Sequence, residues 1–198
     1  TVTDNIPPTI TAPGDTTGTT NVACTSTNVT LGTATTGDNC GVDTVINDAP
    51  AAFPLGSTTV TWTVTDAAGN EAKATQTITI LDAQNPTIAT LGPINVNADA
   101  GVCTYASSQL TAPSASDNCT VVTVTRSPAS LVLGSNTVTW TATDGSSNTA
   151  ISTQTVTVLD NQDPAIATLA AASVNADSGV CTYASSQLQK QTATDNCS

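Results

Sequence analysis

The sequence contains no histidine and no methionine, and only three of its 198 residues are basic. Without histidine, catalytic triads, dyads and zinc sites that depend on imidazole are excluded. The 15 acidic residues leave a net charge of −12, which excludes electrostatic binding to nucleic acid and argues against docking on anionic membranes. No apolar run approaches the roughly 20 residues of a spanning helix, so we expect no membrane insertion.

Glutamate is nearly absent, because Glu71 is the single glutamate beside 14 aspartates. A merely solvated acidic surface would use both residue types. The short aspartate side chain reaches the local backbone in turns and hard cations in metal sites, so this bias indicates placed carboxylates. The chain also lacks an initiator methionine and a signal-peptide pattern, which indicates a mature product or a piece of one.

What the sequence does contain is a repeat with a period of 78 residues. The segment DNIPPTI at 4–10 returns as DAQNPTI at 82–88 and as DNQDPAI at 160–166. We predict the end of a preceding repeat at 1–3, complete repeats at 4–81 and 82–159, and a partial repeat at 160–198. Because the ends fall inside repeats, we expect a window from a longer array. Its partners would be neighbouring repeats and other copies in a fibre.

Each repeat has the pattern of an all-β domain. In residues 59–65 and 76–80 every second residue is threonine, and the residues between them are mostly apolar. This alternation is typical of half-buried strands. Val60, Trp62 and Val64 then share the core face. Short strands separated by turn residues predict tandem immunoglobulin-like antiparallel β-sandwiches with the same period.

Three segments together resemble the hyalin repeat (HYR) domain. They are Asp-Asn-Cys at 38–40, the run FPLGSTTVTWTVTDAAGN at 53–70, and Ile-Leu-Asp-x-Gln-Asn-Pro-x-Ile at 80–88. The resemblance covers both complete repeats and the partial third. It implies an immunoglobulin-like extracellular module that occurs in tandem, is secreted or displayed at the cell surface, and is associated with adhesion.

The six cysteines occur as pairs separated by 16 residues within each repeat. Zinc would need four clustered ligands, so the pairs indicate disulfides formed in an oxidising compartment. We expect a bond inside each repeat, which requires the chain to reverse between the two cysteines, near Gly32 and near Pro113. The expected pairs are Cys24–Cys40, Cys103–Cys119 and Cys181–Cys197.

Aspartate and asparagine recur at the junctions and at the turn before the last strand. Antiparallel topology brings the linker and this turn to one pole, where their oxygens suit Ca²⁺. The alternative is that they form Asx-turns and cap strand ends. Asp38, Asp117 and Asp195 of the Asp-Asn-Cys motif join this set unless a disulfide draws their segment to the other pole. The predicted ligands are Asp4, Asn5, Asp66, Asn70, Asp82, Asn85, Asp117, Asp144, Asn148, Asp160 and Asp163.

Three sequons, at Asn28, Asn118 and Asn196, are candidate glycosylation sites. No basic residue recurs at the repeat period, and we predict no enzymatic activity. The leading hypothesis is a structural, adhesive extracellular protein that forms a rod, stalk or filament segment with calcium-stiffened junctions. The alternative is a calcium-dependent module that binds a glycan or a surface protein.

Overall fold

The computed structural model describes residues 3–120, 122–182, 184–188 and 190–197. These residues form strands and two 3₁₀ turns of three residues each, Ser107–Gln109 and Ser185–Gln187. Among the residues described, no helix is long and apolar enough to cross a membrane. The strands of the first repeat are β1 (Thr9–Thr11), β2 (Thr16–Thr19), β3 (Thr25–Ser26), β4 (Thr35–Gly37), β5 (Val42–Asn47), β6 (Phe53–Pro54), β7 (Gly56–Asp66) and β8 (Glu71–Leu81).

The second repeat carries the same succession of strands, and a short pair follows in the third. The second-repeat strands are β9 (Thr87–Ile88), β10 (Ile94–Asn97), β11 (Thr104–Ala106), β12 (Ala115–Ser116), β13 (Thr123–Ser127), β14 (Ser130–Val132), β15 (Gly134–Thr143) and β16 (Thr149–Leu159). The third-repeat strands are β17 (Ala165–Ile166) and β18 (Ala193–Thr194), which pair antiparallel. The predicted all-β class and tandem arrangement are confirmed.

A long hairpin forms the centre of each main sheet. In the first repeat the order is β2-β8-β7-β5, and in the second it is β10-β16-β15-β13. Strands β7 and β8 pair from Gly56 with Ile80 to Thr65 with Glu71. The edge strands β2 and β10 pair parallel to β8 and β16. This parallel edge, which the antiparallel prediction did not include, arises because β2 and β8, like β10 and β16, both run toward the end at which the chain leaves the repeat.

We define two poles of a repeat from this hairpin. The N-terminal pole is the end that holds the entering linker and the β7–β8 turn, or the β15–β16 turn in the second repeat. The C-terminal pole is the end where β8 or β16 finishes. Strand β8 has 11 residues, so the poles of the first repeat are about 35 Å apart at roughly 3.3 Å per residue.

The core lies on the face that period-two alternation selects. In the first repeat Val60, Trp62, Ile78 and Ile80 are buried, and Phe53 from β6 completes the cluster. Partly buried Val29 and Leu31 and other apolar side chains pack against it. In the second repeat the buried apolar residues include Leu131, Val138, Trp140, Val156 and Val158. The prediction that Trp62 faces the core is confirmed, and Trp140 has the same position in the second repeat.

A buried glutamine ties the two layers of the first sandwich together. Gln76 is fully buried, and its Oε1 accepts a hydrogen bond of 3.2 Å from Trp62 Nε1. Its Nε2 donates to the carbonyls of Gly14 at 2.8 Å and Leu31 at 2.9 Å. Gln154 accepts the corresponding bond from Trp140 at 3.3 Å in the second repeat. A polar group in the core is therefore satisfied on both of its ends.

Contacts divide the chain into two compact units whose borders fall inside the second repeat. One unit contains the first sandwich together with the N-terminal pole of the second repeat. It comprises Thr1–Ala89, Ser114–Val124 and Thr141–Ile151. The other unit comprises Thr90–Pro113, Thr125–Trp140 and Ser152–Ser198. Each junction between consecutive repeats thus lies within one unit, and the repeat boundaries themselves stay a prediction.

The Gln76 network makes a prediction about stability. Replacing Gln76 with leucine removes the partner of the Gly14 and Leu31 carbonyls and leaves the buried indole N–H of Trp62 unsatisfied. An unsatisfied buried donor alone costs about 1–3 kcal/mol. We expect Gln76→Leu to lower the free energy of unfolding by at least about 2 kcal/mol in urea denaturation. Thr75→Leu, at the exposed neighbouring position of the same strand, is the control and should change it by less than about 0.5 kcal/mol. Equal stability of the two variants would contradict this role.

Candidate metal sites at the repeat junctions

The Asp-Asn-Cys segment forms a tight turn at the N-terminal pole of each repeat. In the first repeat Asp38 Oδ2 accepts hydrogen bonds from the backbone N–H groups of Cys40 at 2.7 Å and Gly41 at 2.9 Å. In the second, Asp117 Oδ2 accepts from Cys119 N at 2.8 Å. The other carboxylate oxygens, Asp38 Oδ1 and Asp117 Oδ1, are buried and have no protein hydrogen-bond partner. The turn thus consumes one oxygen and leaves the second available.

The β7–β8 turn fixes a second carboxylate at this pole. Asp66 Oδ1 accepts from Ala68 N at 2.9 Å and Asn70 N at 2.8 Å, and Oδ2 accepts from Asn70 Nδ2 at 2.7 Å. Gly69 enables the turn because its backbone angle φ is +91°, a value that residues with a Cβ atom rarely adopt. The hydrogen bonds from Asn70, together with those from Ala68 and Gly69, outweigh burial and lower the pKa of Asp66.

The second repeat reproduces this turn with Asp144 and Asn148. Asn148 Nδ2 donates to Asp144 Oδ2 at 2.9 Å, and its backbone N–H donates to Oδ1 at 2.8 Å. Burial acts to raise the pKa of Asp144, but the hydrogen bonds from Asn148, Ser146 and Ser147 together lower it. Both turn aspartates are therefore held as carboxylates at neutral pH.

The linker aspartate completes the group. Asn70 Nδ2 also reaches the carbonyl of Asp4, and Asn148 Nδ2 reaches that of Asp82, each at 3.3 Å. Asp82 Oδ1 accepts from Gln84 N at 3.1 Å, whereas Asp82 Oδ2 is buried without a protein partner. Asp82 as a whole is only 8% exposed. A buried carboxylate oxygen in this state is unfavourable unless a cation or water satisfies it.

These elements bring acidic groups together in three places, one near the start of each predicted repeat. Within each group, one ligand atom per residue lies within 4.8 Å of the others. Two oxygens on opposite sides of a Ca²⁺ ion are about 4.6–5.2 Å apart, so the spacing suits a single ion. The groups are Asp4 with Asp38 and Asp66, Asp82 with Asp117 and Cys119, and Asp160 with Asp195 and Cys197.

Most of the predicted aspartate ligands lie in these clusters, namely Asp4, Asp66, Asp82, Asp117 and Asp160. Asp144 adjoins the second cluster, because Asn148 donates both to Asp144 and to the Asp82 carbonyl. Asp38 and Asp195, whose inclusion, like that of Asp117, depended on the position of the Asp-Asn-Cys turn, also lie in the clusters because this turn is at the N-terminal pole.

Other predicted ligands have different positions. Asn5, Asn85 and Asp163 are exposed, and Asp163 is outside the acidic group of its junction. Asn70 and Asn148 were predicted to supply oxygen, but they orient the aspartates by donating their amide hydrogens. As metal ligands, all of these residues remain predictions.

Two contacts from the preceding repeat were not predicted. Thr20 is buried and its Oγ1 lies 3.5 Å from Asp82 Oδ1, while Gln84 Nε2 donates to the Thr20 carbonyl at 3.4 Å. Threonine is so common in this sequence that no pattern distinguishes Thr20. Glutamine does recur at Gln84 and Gln162, and Gln162 Nε2 donates to the Asp99 carbonyl at 3.3 Å. The recurrence of this glutamine in the sequence could have predicted its contact with the preceding repeat.

The predicted disulfide pairing within repeats is wrong. Cys24 is bonded to Cys119 and Cys103 to Cys197, with Cα atoms 4.6 and 5.0 Å apart. The expected reversal does not occur: the segment after Cys24 at the C-terminal pole runs to Cys40 at the N-terminal pole. Cys24 and Cys40 are therefore at opposite ends of one repeat. The remaining cysteines of the predicted pairs, Cys40 and Cys181, are free and exposed.

The bridges also bear on the sequons. Asn118 Nδ2 donates to the Ala23 carbonyl, and Asn196 Nδ2 donates to the Val102 carbonyl, both at 3.0 Å. A glycan on either nitrogen would occupy the place of these bonds. Asn28 is exposed, so it is the sequon that remains compatible with the structure, and its glycosylation stays a prediction.

Comparison with known proteins agrees with this architecture. Residues 3–80 match the HYR domain. The match covers the first repeat, and the 78-residue periodicity extends the pattern through the second and into the third. The resemblance inferred from the sequence is thereby confirmed.

Solved structures of cadherin type are more distant. The chain is similar to the protocadherin GammaB4 extracellular domain (14% identity, TM-score 0.43, covering 82% of this chain and 34% of that one). It is also similar to Drosophila N-cadherin EC1-4, with 10% identity and a TM-score of 0.45 over 78% of this chain and 50% of that one. A third similar structure is human mucin-like protocadherin EC1-2, with 12% identity and a TM-score of 0.42 over 77% of this chain and 98% of that one. The chain thus spans about a third of the length of the first of these.

The disulfide pattern predicts a defined peptide map. Proteolysis without reduction should yield peptides that link Cys24 to Cys119 and Cys103 to Cys197, and none that link Cys24 to Cys40. Cys24→Ser should lower the melting temperature, because a bridge across 95 residues contributes up to about 4.7 kcal/mol in the chain-entropy model. Cys40→Ser is the matched control, with no expected loss. A Cys24–Cys40 peptide in the native protein would contradict the pairing.

The lowered pKa of Asp66 predicts a pH dependence of stability. A carboxyl whose pKa is below its ordinary value of 3.8 stabilises the fold above that value and loses this contribution as pH falls through the folded-state pKa. In metal-free buffer, Asp66→Asn should be less stable at neutral pH and should lose less stability between about pH 4 and 2. Asp43→Asn, at an exposed position, should follow the wild type. If the free energy of unfolding falls by the same amount in wild type and in Asp66→Asn over this pH range, the assignment is contradicted.

Proposed function

We propose that this chain is a segment of an extracellular adhesion-type repeat protein, secreted or held at the cell surface. Its tandem repeats build a rod, stalk or filament in which Ca²⁺ stiffens the junctions. The HYR match at residues 3–80 supports the adhesive repeat class. The proposal includes no enzymatic activity, and the partners are neighbouring repeats and other copies. The observation that carries the calcium proposal is the buried, unpaired carboxylate oxygen of Asp82.

The electrostatics of the second junction favour a cation. Asp82 Oδ2 and Asp117 Oδ1 are both buried and lack protein partners, and their carboxylates belong to one cluster. Like charges held together with little solvent are unfavourable unless one is protonated or a cation lies between them. A bound cation would satisfy both unpaired oxygens at once.

The ligand types favour calcium over softer metals. Cys119 and Cys197 stand in two of the three groups, but both sulfurs are in disulfides. A disulfide sulfur is not the thiolate that zinc prefers, so the available ligands are oxygens. Ca²⁺ accepts six to eight oxygens in irregular geometry. Asp82 and Asp117 would hold it in the second junction, with Asp144 beside them and backbone carbonyls or water completing the shell.

A bound ion would restrain the linker. Asp82 is the first residue of the predicted second repeat, Asp117 lies 35 residues further along, and Thr20 of the preceding repeat contacts Asp82. Buried Pro86 already limits the backbone of this linker. An ion shared by Asp82 and Asp117 would couple the linker to the body of its repeat, and the disulfide couples that body to Cys24. This combination would convert a hinge into a stiff joint.

The test is calcium binding with its effect on stability and flexibility. Free Ca²⁺ at about 100 times its dissociation constant should stabilise the chain by roughly 2.7 kcal/mol for each independent site. Chelation should lower the melting temperature and broaden the solution-scattering distance distribution. Absence of heat on titration, together with an unchanged melting temperature, would overturn the calcium proposal.

Substitution at the junction separates a metal ligand from a turn-former. Asp82→Asn removes one negative charge, so in chelator it should be at least as stable as the wild type, while its calcium response falls. A residue needed only for the turn would instead lose stability equally with and without calcium. Asp43→Asn, at an exposed position, should keep the full response. Melting with and without Ca²⁺ distinguishes these outcomes.

A further inference from the structure

The disulfide of the second junction lies directly beside the acidic group at Asp82. The Cys119 sulfur, one oxygen of Asp82 and one oxygen of Asp117 all lie within 4.8 Å of one another, and the same sulfur is bonded to Cys24. The bridge and an ion held by the two carboxylates would therefore act on the same small region. Whether they act on each other depends on how firmly each carboxylate is fixed to its cysteine.

The Asp-Asn-Cys turn of the second repeat holds Asp117 and Cys119 as one piece. Asp117 Oδ2 accepts hydrogen bonds from the backbone N–H groups of Cys119 at 2.8 Å and Thr120 at 3.3 Å. Gly145 of the β15–β16 turn donates to Thr120 Oγ1 at 2.8 Å, and an added Cβ at Gly145 would lie 3.1 Å from the Thr120 side chain. An ion that fixes the remaining oxygen of Asp117 thus also fixes the position of the Cys119 sulfur.

Asp82 is fixed to the end of the preceding repeat. Buried Thr20 donates its backbone N–H to the Leu81 carbonyl at 3.0 Å, and its Oγ1 lies 3.5 Å from Asp82 Oδ1. Gln84 N donates to the same Oδ1 at 3.1 Å. These contacts occupy one oxygen of Asp82, so Oδ2, which is buried without a protein partner, is the oxygen available to an ion.

Cys24 belongs to this same end of the preceding repeat. It follows Thr20 by four residues, in a loop that closes on itself. The backbone N–H groups of Asn21 and Val22 donate to the Thr25 carbonyl at 2.9 and 3.2 Å, and Thr25 N donates back to the Val22 carbonyl at 3.0 Å. The loop therefore holds Cys24 in a fixed position relative to Thr20.

We propose that the Cys24–Cys119 bridge regulates calcium binding at the second junction, and that calcium in turn favours formation of this bridge. The inference rests on the proposed function, because it requires an ion at Asp82 and Asp117. Two connections between the same two parts assist each other, since the first removes freedom of movement that the second would otherwise have to restrict. Linkage makes the effects equal: the bridge raises calcium affinity by the factor by which calcium raises the equilibrium constant of the bridge. We expect a factor of about ten, within the usual range of such couplings.

The coupling has a consequence for folding, when the bridge forms from thiols. An ion shared by Asp82 and Asp117 brings the Cys119 turn to Cys24 and leaves Cys40 at the other pole of its repeat. Calcium at the junction therefore selects the pairing between repeats over the pairing inside one repeat.

The bridge forms with a small disulfide, such as oxidised glutathione, as the oxidant. The Cys24 thiolate attacks one sulfur of that disulfide and releases one glutathione thiolate. The Cys119 thiolate then attacks the Cys24 sulfur of the mixed disulfide and releases the other. Two protein thiols are oxidised to one disulfide, one glutathione disulfide is reduced to two thiols, and the two protons pass to the released thiolates. Calcium exchanges no electrons and acts on the distance between the thiols.

The first test measures the bridge as a function of calcium. The reduced wild-type chain is equilibrated in glutathione buffers of graded composition, with Ca²⁺ or with chelator, and alkylation and mass spectrometry then give the fraction with a Cys24–Cys119 peptide. Saturating Ca²⁺ should raise the equilibrium constant of the bridge about tenfold. Asp82→Asn should lose most of this effect, whereas Asp43→Asn, at an exposed position, should keep it. Equal constants with and without Ca²⁺ in the wild type would overturn the coupling.

The second test measures calcium binding as a function of the bridge. In calorimetric titration, the binding step that Asp82→Asn removes identifies the second-junction site. Cys24→Ser keeps both carboxylates but lacks the bridge, so this step should weaken by the same factor of about ten. Cys181→Ser, which changes a cysteine outside both bridges, should bind as the wild type does.

The outcomes separate this inference from the proposed function. Wild type that binds no calcium would overturn both, whereas equal affinity at the second-junction site in wild type and Cys24→Ser would overturn the coupling alone. Tryptophan fluorescence in chelator shows whether Cys24→Ser is folded. If it is not, the glutathione equilibrium of the wild type decides, because that measurement needs no substitution.

Discussion

The bond from the Asp-Asn-Cys turn to the preceding repeat is the interaction on which the junction depends. Backbone N–H groups of the turn fix one oxygen of Asp117, so the other oxygen is left in the acidic cluster with Asp82. The sulfur of Cys119 fixes the same turn to Cys24, and Asn118 adds a bond to Ala23. One short turn therefore carries the covalent link, a polar contact and a carboxylate of the candidate metal site.

The interior of each repeat is organised by different forces. Alternation along β7 and β8 buries Val60, Val64 and Ile78 on one face and leaves threonines on the other. With few aromatic residues, the core relies on β-branched side chains and one tryptophan, whose indole nitrogen is satisfied by Gln76. The sandwich thus forms from local hairpin pairing and burial, and the junction is added at its poles.

Much of this fold follows from the sequence because its causes are local. Period-two alternation predicted the long hairpin, and the topology of an antiparallel sandwich predicted that Asp4 and Asp66 meet at one pole. The disulfides did not follow, because in an array the second cysteine of the next repeat is as eligible as that of the same repeat. Only the path of the chain, which carries Cys24 and Cys40 to opposite poles, decides between them. The role of Asn70 was hidden for a simpler reason: an amide offers both a donor and an acceptor.

The staggered bridges have a mechanical consequence. In a chain pulled from its ends, tension passes through the shortest covalent path, which enters a repeat at its second cysteine and leaves at its first. That path contains 16 residues in the second repeat, from Cys119 back to Cys103, and extends to about 54 Å when fully stretched. The 78-residue period without bridges would extend to about 265 Å. Folded β16 of the same repeat has 11 residues and spans about 35 Å. A repeat that loses its fold under load therefore lengthens by at most about 20 Å between its bridges, against about 230 Å without them.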